Sequence, residues 1–426
     1  MKVIVLGAGV IGVTTAYFLA RNGHEVTVLE KNSAPALGCS YANGGQLSYS
    51  HIEPWASKAS IKLLAKAAFL SPSFLTISDF SNRDFLKWSY QFFKNSCREK
   101  SHQTSKKLYK LGTYSKKLLE EIIANEPELE FNYKNEGILH FFRTQKSFEI
   151  AIKEAEFAIS LGCSAQILNK DECAKKEPTL SKLADENKLA GGIFYEADAS
   201  GNTMLFTQSL EKICREKYGV NFEYNADIRN LFTNYEKITG INTSAGVFVA
   251  DKYIFALGAG GNKLLKGIGI DPKIYPLKGY SLSIKADEEF LAPNMALTDT
   301  ENKIVYSRVG DVFRAAGTVE ACGNRPEKNQ KHLDFLQTVI RSTFSDFGNL
   351  NKASDWCGFR PFRPNSIPLI CQIKKYQNLI INAGHGSLGW TMAAASGKIS
   401  SDLVLDKKNE QFSFLAQEEE SIYINN

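Results

Sequence analysis

Apolar positions change their period twice within the first thirty residues. Lys2-Val3-Ile4-Val5-Leu6 is a short β-branched run, Val13 to Asn22 carries Ala16, Leu19 and Ala20 on one helical face, and Val26-Thr27-Val28-Leu29 returns to a strand. The order strand, turn, helix, strand is that of a βαβ unit. Helical spacing then dominates from Ile61 to Asn125, with Trp88, Phe92 and Phe93 as candidate core residues. A strand is predicted over Gly137–Phe142, a helix over Lys146–Leu161 ended by Gly162, an extended segment at Gly191–Tyr195 and a helix over Asn202–Glu216. Asp251–Leu257 reads as a buried strand running into the glycines of Gly258–Gly261. Alternation at Ser281–Ile284, Ile304–Tyr306 and Val312–Arg314 predicts antiparallel strands of a second sheet. Asn378–Ala383 is again a buried strand, followed by a helical run from Leu388 to Leu405.

Nucleotide-domain signals therefore stand at both ends of the chain and near its middle. With 426 residues, two domains are expected. They are interleaved in this reading: 1–60, 195–270 and 355–426 form one, 61–194 and 271–354 the other. The net charge of +5 is modest, and no nucleic-acid partner is expected. The excess is concentrated between Lys94 and Lys117, which reads either as a solvated helical face or as contact with an anionic membrane surface. The eight cysteines show no CxxC pair and no spacing with histidine suited to a metal, so reduced thiols and a cytoplasmic location are expected. The peripheral variant of that location is the inner face of the cell membrane, since no apolar run is long enough to span it.

The turn between the first strand and helix is Gly7-Ala8-Gly9-Val10-Ile11-Gly12, a GxGxxG fingerprint in its proper context. Gly7 permits the tight turn, Gly9 lets backbone approach a pyrophosphate, and Gly12 lets helix and strand pack closely. The helix N-terminus, with Val10 and Ile11 in its first turn, offers N–H groups to the anion. Glu30, followed by Lys31, ends the second strand where a carboxylate accepts hydrogen bonds from a ribose diol. By itself this does not choose between NAD and FAD. The second glycine cluster carries Lys263 where a final glycine would stand, which argues against an independent NAD-binding domain. The segment Gly38–Gln46 is small and polar, suited to lying against a flat ligand or to serving as an ordinary linker.

Six stretches resemble the D-amino acid oxidase and dehydrogenase family of flavoproteins: GAGVIG (7–12), SYANGGQ (40–46), PWA (54–56), YPLKGYS (275–281), GFRPFRP (358–364) and GHGSLGWTMA (384–393). The resemblance implies an α/β fold in which a glutathione-reductase-like, FAD-binding Rossmann domain is interleaved with an α+β substrate domain on a mixed, largely antiparallel sheet. It also implies oxidative deamination of an amino acid to a 2-oxo acid and ammonia, by hydride transfer from Cα to flavin. Electrons would pass to a quinone or another acceptor. Carried over by motif, the fingerprint and Glu30 would hold the adenosine diphosphate, Ser40, Ala42, Asn43, Gly44 and Gln46 would line the flavin, Gly258 would lie nearby, and Gly384, His385, Gly386, Ser387 and Leu388 would meet the pyrimidine edge.

Arg360 is the candidate for the substrate carboxylate, because a planar guanidinium can donate two parallel charge-assisted hydrogen bonds. Arg363 is read as structural. Tyr280 and Tyr306 are further pocket candidates, although a tyrosine on a strand often serves packing. His385 either hydrogen-bonds locally or transfers a proton. In the related sarcosine oxidases a cysteine tethers the flavin; the matching position here is Gly358, one residue from Cys357, so the expected FAD is non-covalent. Departures from the dehydrogenase pattern at Arg363, Asn365 and Cys371 leave substrate preference and acceptor open. Two alternatives stand beside the D-amino acid reading: an oxidase or dehydrogenase of glycine, sarcosine or proline-type amines, and a non-catalytic flavoprotein subunit. Chirality and oligomeric state are not set by these motifs.

Overall fold

A computed structural model describes residues 1–50, 53–58, 60–61, 74–286, 292–344, 350–407 and 409–424. Part of the helical pattern expected from Ile61 onward lies outside these residues.

The β-branched run forms the strand Lys2–Leu6, buried from Val3 onward, and sits inside a six-stranded sheet. Its parallel neighbours are Lys252–Phe255 and Glu25–Leu29, with Asn221–Glu223 and Leu379–Ala383 outside them. Leu369–Gln372 closes one edge antiparallel. Helix Val10–Arg21 follows the first strand, and the long helix Gly389–Val404 packs directly on it. Their contact is so close that a Cβ at Gly397 would meet the Thr14 backbone at 2.9 Å. Both helices begin at the carboxyl ends of parallel strands, where open α/β sheets bind their ligands.

The second sheet runs in the order Ser354–Phe362, Tyr275–Lys285, Val312–Ala321, Ile304–Val309, Ala296–Asp299, Ile138–Phe142, Gly191–Tyr195 and Ala165–Asn169. Leu75–Ile77 adds to the end of Val312–Ala321. Pairing is antiparallel except for that addition and the Ala296–Asp299/Ile138–Phe142 pair, which makes the sheet mixed. Helix Gln330–Thr343 covers one face with Leu333, Leu336, Val339 and Ile340. The short pair Gln46–Leu47 and Ala199–Ser200 ties the loop after the first βαβ unit to the middle of the chain.

The segment 354–362 pairs along its length with Tyr275–Ser283 and belongs to the second sheet, which moves the 354/355 division toward the carboxyl terminus. Helix Arg83–Asn95 buries Phe85, Trp88 and Phe92, whereas Phe93, expected in the core, is 50% exposed. The basic stretch lies mainly on helix Arg98–Asn125.

Candidate active site

At the fingerprint the backbone is too tight for side chains. A Cβ at Gly12 would fall 1.8 Å from Gly7 O, and one at Gly7, whose φ is +103°, would fall 2.9 Å from Ala256 O. Helix Val10–Arg21 starts at Gly9 with no acidic residue in its first turn. Val10 N donates to Ser40 Oγ at 3.1 Å, which brings Ser40 onto the helix end. Glu30 is buried beside this turn, where Oε2 accepts from Ala8 N at 2.8 Å and Oε1 from Asn32 N at 2.9 Å. Lys31 is exposed. Glycines without room for a Cβ, an N-terminus with no acid to satisfy it, and a carboxylate held by the turn fit the adenosine diphosphate half of FAD.

The loop beyond Ser40 leaves this domain and lies across the second sheet. Ser281 Oγ donates to Ala42 O at 2.8 Å, Ser307 Oγ to Gly44 O at 2.8 Å, and Arg314 Nη1 to Asn43 O at 3.2 Å. Gln46 Nε2 donates to Leu297 O at 2.9 Å. A Cβ at Gly44 would come within 2.3 Å of Val305 Cγ2, so glycine is required for the close approach. Asn43 Oδ1 accepts from Gly45 N and Thr203 Oγ1, fixing the turn from within. The same face of the sheet thus presents Ser281, Ser307 and Arg314 to the loop.

Arg360 belongs to this face. Its guanidinium lies over Gly279, where a Cβ would meet Cζ at 2.3 Å, and within electrostatic reach of the Cys39 thiol at the start of the loop. Nη1 donates to Thr318 O at 3.0 Å. Thr318 holds a left-handed backbone at φ 54°, and its buried Oγ1 has no partner. A β-branched residue is strained there. Among the described residues Arg360 forms no ion pair with a carboxylate, and burial lowers its basicity. A guanidinium with no carboxylate partner among the described residues is suited to an incoming carboxylate. Trp356 lies over Gly358 on the same strand and walls the space.

The strand carrying Arg360 runs straight into the glycine turn. Phe362 bridges His385, and Gly386 N donates to Pro361 O at 2.9 Å. Gly384 and Gly386 hold φ of +84° and +58°. Ser387 and Leu388 lead into helix Gly389–Val404, whose N-terminus has neither a side-chain cap nor an acidic residue in its first turn. That end favours negative charge. A cleft between Pro54-Trp55 and Gly384–Leu388 opens beside Phe362. His385 is buried, exchanges a hydrogen bond with Ser396 Oγ at 2.8 Å, and is pushed down to about 3 by burial. It is neutral and turned into the helix. Gly258 holds φ 57°, and a Cβ there would lie 4.0 Å from Pro361 Cγ on the same strand.

Two expected pocket residues are not on this face. Tyr280 and Tyr306 alternate with Ser281 and with Val305 and Ser307, so they point to the side covered by helix Gln330–Thr343. Tyr280 donates to Glu320 Oε2 and stacks on His332 at 4.7 Å; Tyr306 packs against Phe313 and Phe344. Their place is in the core. Arg363 is fully buried, paired with Glu418 at 2.8 Å and bonded to Pro272 O and Ile367 O, a structural clasp. Arg314 and Thr318 were not singled out from sequence. The signal available was their alternation with Phe313 and Ala315 along one strand, once the loop-facing side of that strand is known.

A dinucleotide-binding sheet feeding one loop onto the face of a mixed sheet, with unpaired cations beneath it, defines a flavin-dependent oxidoreductase of two-sheet architecture. The family described as FAD dependent oxidoreductase (DAO) matches residues 2–403, and the chain belongs to it. Among curated relatives, the D-amino acid dehydrogenase of Paramagnetospirillum magneticum is 36% identical over 407 residues, covering 95% of each chain. That of Neisseria meningitidis is 35% identical, covering 96% of this chain and 97% of its own. In fold the chain is similar to glycine oxidase from Geobacillus kaustophilus, with a TM-score of 0.77 at 18% identity, over 97% of this chain and 98% of that one. The protein is an FAD-dependent enzyme. Among the described residues no helix is long and apolar enough to cross a membrane, and no cluster of side chains could hold a metal ion.

Proposed function

We propose that the protein is a D-amino acid dehydrogenase that oxidatively deaminates its substrate to a 2-oxo acid and ammonia, and that a membrane quinone or similar carrier takes the electrons. The observation that carries this is Arg360: a guanidinium with no carboxylate partner among the described residues, set over Gly279 and facing the loop that would line the cofactor site. Arg360, steadied by its bond to Thr318 O, would grip the substrate carboxylate. Trp356 would shield the reacting carbon from water. Bound FAD supplies the two-electron acceptor for the Cα hydrogen and its bonding pair. Such chemistry calls for orientation and charge neutralisation, not for a dedicated base, and neutral His385 is consistent with that. The N-terminus of helix Gly389–Val404 would favour the negatively charged, reduced ring. Non-covalent binding belongs to the same reading, since the position facing the loop is Gly358, while Cys357 packs toward the core.

Anaerobic mixing of the FAD-loaded protein with D- and L-amino acids, glycine, sarcosine and proline tests this reading. Bleaching of the oxidised flavin by D-amino acids, with reoxidation by a quinone faster than by oxygen, is expected. Bleaching confined to glycine or secondary amines would replace the substrate class. Absence of bleaching by every compound would indicate a flavoprotein without this activity.

A further inference from the structure

Helix Arg83–Asn95 is apolar on two sides. One side, Phe85, Trp88 and Phe92, packs on the active-site scaffold: Trp88 Nε1 donates to Phe362 O at 2.9 Å, and the Phe85 ring lies 5.1 Å from that of Tyr275. The other side carries Leu86, Tyr90 and Phe93, spaced by four and three residues and 53%, 61% and 50% exposed. At about 100° per residue these three share one stripe, turned well away from the buried face. Phe80, 62% exposed, precedes the helix. The exposed cations Arg83, Lys87 and Lys94 run along the border of the stripe, and Lys94 sits over the Tyr90 ring at 4.6 Å. The helix's one acidic residue, Asp84, lies off the stripe and pairs with Lys266 at 2.7 Å.

We infer that this outer face docks on a membrane containing anionic lipids. An apolar stripe of aromatic and aliphatic side chains bordered by cations matches the interfacial boundary of a bilayer, where the apolar groups enter the acyl region and the cations meet phosphate. A symmetric second copy is a poorer match. Antiparallel isologous pairing would set the row of Arg83, Lys87 and Lys94 against its own copy, and in either orientation the stripe has no acid to offset it. The lysine-rich helix Arg98–Asn125 differs in kind: Lys116 and Lys117 are paired with Glu120 and Glu121, and no large apolar side chain among its described residues is exposed. It has charge without an apolar anchor. Docking through Arg83–Asn95 sets the bilayer one helix away from Phe362, two residues beyond Arg360. A lipid-soluble acceptor would then reach the cleft beside Trp55 and Phe362 without crossing bulk water. This access rests on the dehydrogenase reading; the docking itself does not.

The test is co-sedimentation of the FAD-loaded protein with phosphatidylglycerol/phosphatidylcholine vesicles and with phosphatidylcholine vesicles, at low and high salt. Binding to the anionic vesicles, weakened by salt, is expected. It should fall at least ~tenfold both in L86S/Y90S/F93S and in K87E/K94E. Flavin spectrum and anaerobic bleaching report folding and the substrate reading independently, and both variants should match the parent in them. No vesicle binding, or equal binding by parent and variants, would overturn the proposal. Concentration-dependent dimerisation abolished by L86S/Y90S/F93S, without vesicle binding, would overturn it in favour of a second copy.

Discussion

The two faces of the second sheet are made by the same strands, one residue out of phase, yet they treat charge in opposite ways. On the face covered by Gln330–Thr343, Tyr280 donates to Glu320, Asn329 Nδ2 donates to Glu320 Oε1, and buried Lys278 pairs with Glu320 at 3.5 Å and donates to Glu327 O. On the loop face, Arg314 is 8% exposed and, among the described residues, bonds to Ser283 Oγ and Asn43 O without a carboxylate, as Arg360 does to Thr318 O. A buried cation without a carboxylate costs stability, and burial pushes the Arg314 guanidinium down to about 10. The first face is closed on itself; the second is unfinished without an anion. Buried polarity alone therefore does not mark the site. Unmatched buried charge does.

That contrast is put at risk most severely by Arg360. Replacement by alanine should lower kcat/KM about a thousandfold, roughly 4 kcal/mol, as expected when a hydrogen-bonded charge pair loses one member. Arg360→Lys should recover part of the loss, because it restores charge without the fork. FAD should remain bound in both. Unchanged saturation kinetics in Arg360→Ala would remove the residue from the site and with it the functional half of the comparison.

The closed face makes a prediction about pH. His332 is 1% exposed, shares a hydrogen bond with Thr76 Oγ1 at 2.8 Å, and is lowered from 6.5 to about 4, first by burial, with Lys278 adding and Glu320 opposing. The folded state disfavours the imidazolium, so the unfolded chain binds more protons between these values. Stability from this group is present above about 6.5 and lost as pH falls toward about 4. Denaturant unfolding followed against pH should show a decline on the order of 3 kcal/mol over that window, flattened in His332→Gln. Flavin reduction should not share the His332-dependent titration. A His332→Gln curve parallel to the parent's would show that the fold does not shift this imidazole and would remove it from the pH dependence.

The sequence was informative where one local pattern carried the outcome. The turn at Gly7–Gly12 and the strand ending before Glu30 required only the order strand, turn, helix, strand, and the turn at Gly384–Leu388 only the step from strand to helix; their part in holding the cofactor belongs to the proposed function. The strand Leu75–Ile77 was invisible because three residues show no period. The errors at Tyr280 and Tyr306 have a different origin. Alternation divides a strand into two faces, but both faces of this sheet are covered, one by a helix and the other by the loop, so hydropathy does not tell which is which. A register shift between Lys278 and Tyr280 adds a further change of phase opposite Thr318. For the same reason Arg314 and Thr318 went unmarked. Phe93 was misplaced because a helix apolar on two sides reads, from spacing alone, as one broad core stripe.

Arg314 allows a finer cut between scaffold and site. Its hydrogen bonds to Ser283 and Asn43 hold the loop to the sheet, while its charge lacks a partner. Arg314→Met keeps volume and removes both. FAD affinity should weaken about tenfold, about 1.4 kcal/mol, and the reduction potential should fall as a nearby cation is lost. Arg314→Lys should restore the potential more than the affinity, since it returns charge but not the planar donor set. Equal affinity and potential in parent and Arg314→Met would reduce Arg314 to packing.

The smallest effect belongs to Tyr306. Its hydroxyl is buried beside Thr343 Oγ1, which is already committed, donating to Val339 O and accepting from Arg143, so any bond between them is weak. Burial pushes the phenol well above its usual range, so it stays neutral. Removing a hydroxyl that is at best weakly bonded forfeits little and relieves the desolvation of a polar atom, whereas the ring's contacts with Phe313 and Phe344 persist. Tyr306→Phe should therefore change unfolding free energy by no more than about 0.5 kcal/mol, or raise it slightly, and leave flavin reduction as it was. Slower reduction with stability intact would be the more damaging result. It would mean that a hydroxyl on the closed face reaches the chemistry through the sheet, and the division between a finished and an unfinished face would no longer locate the site.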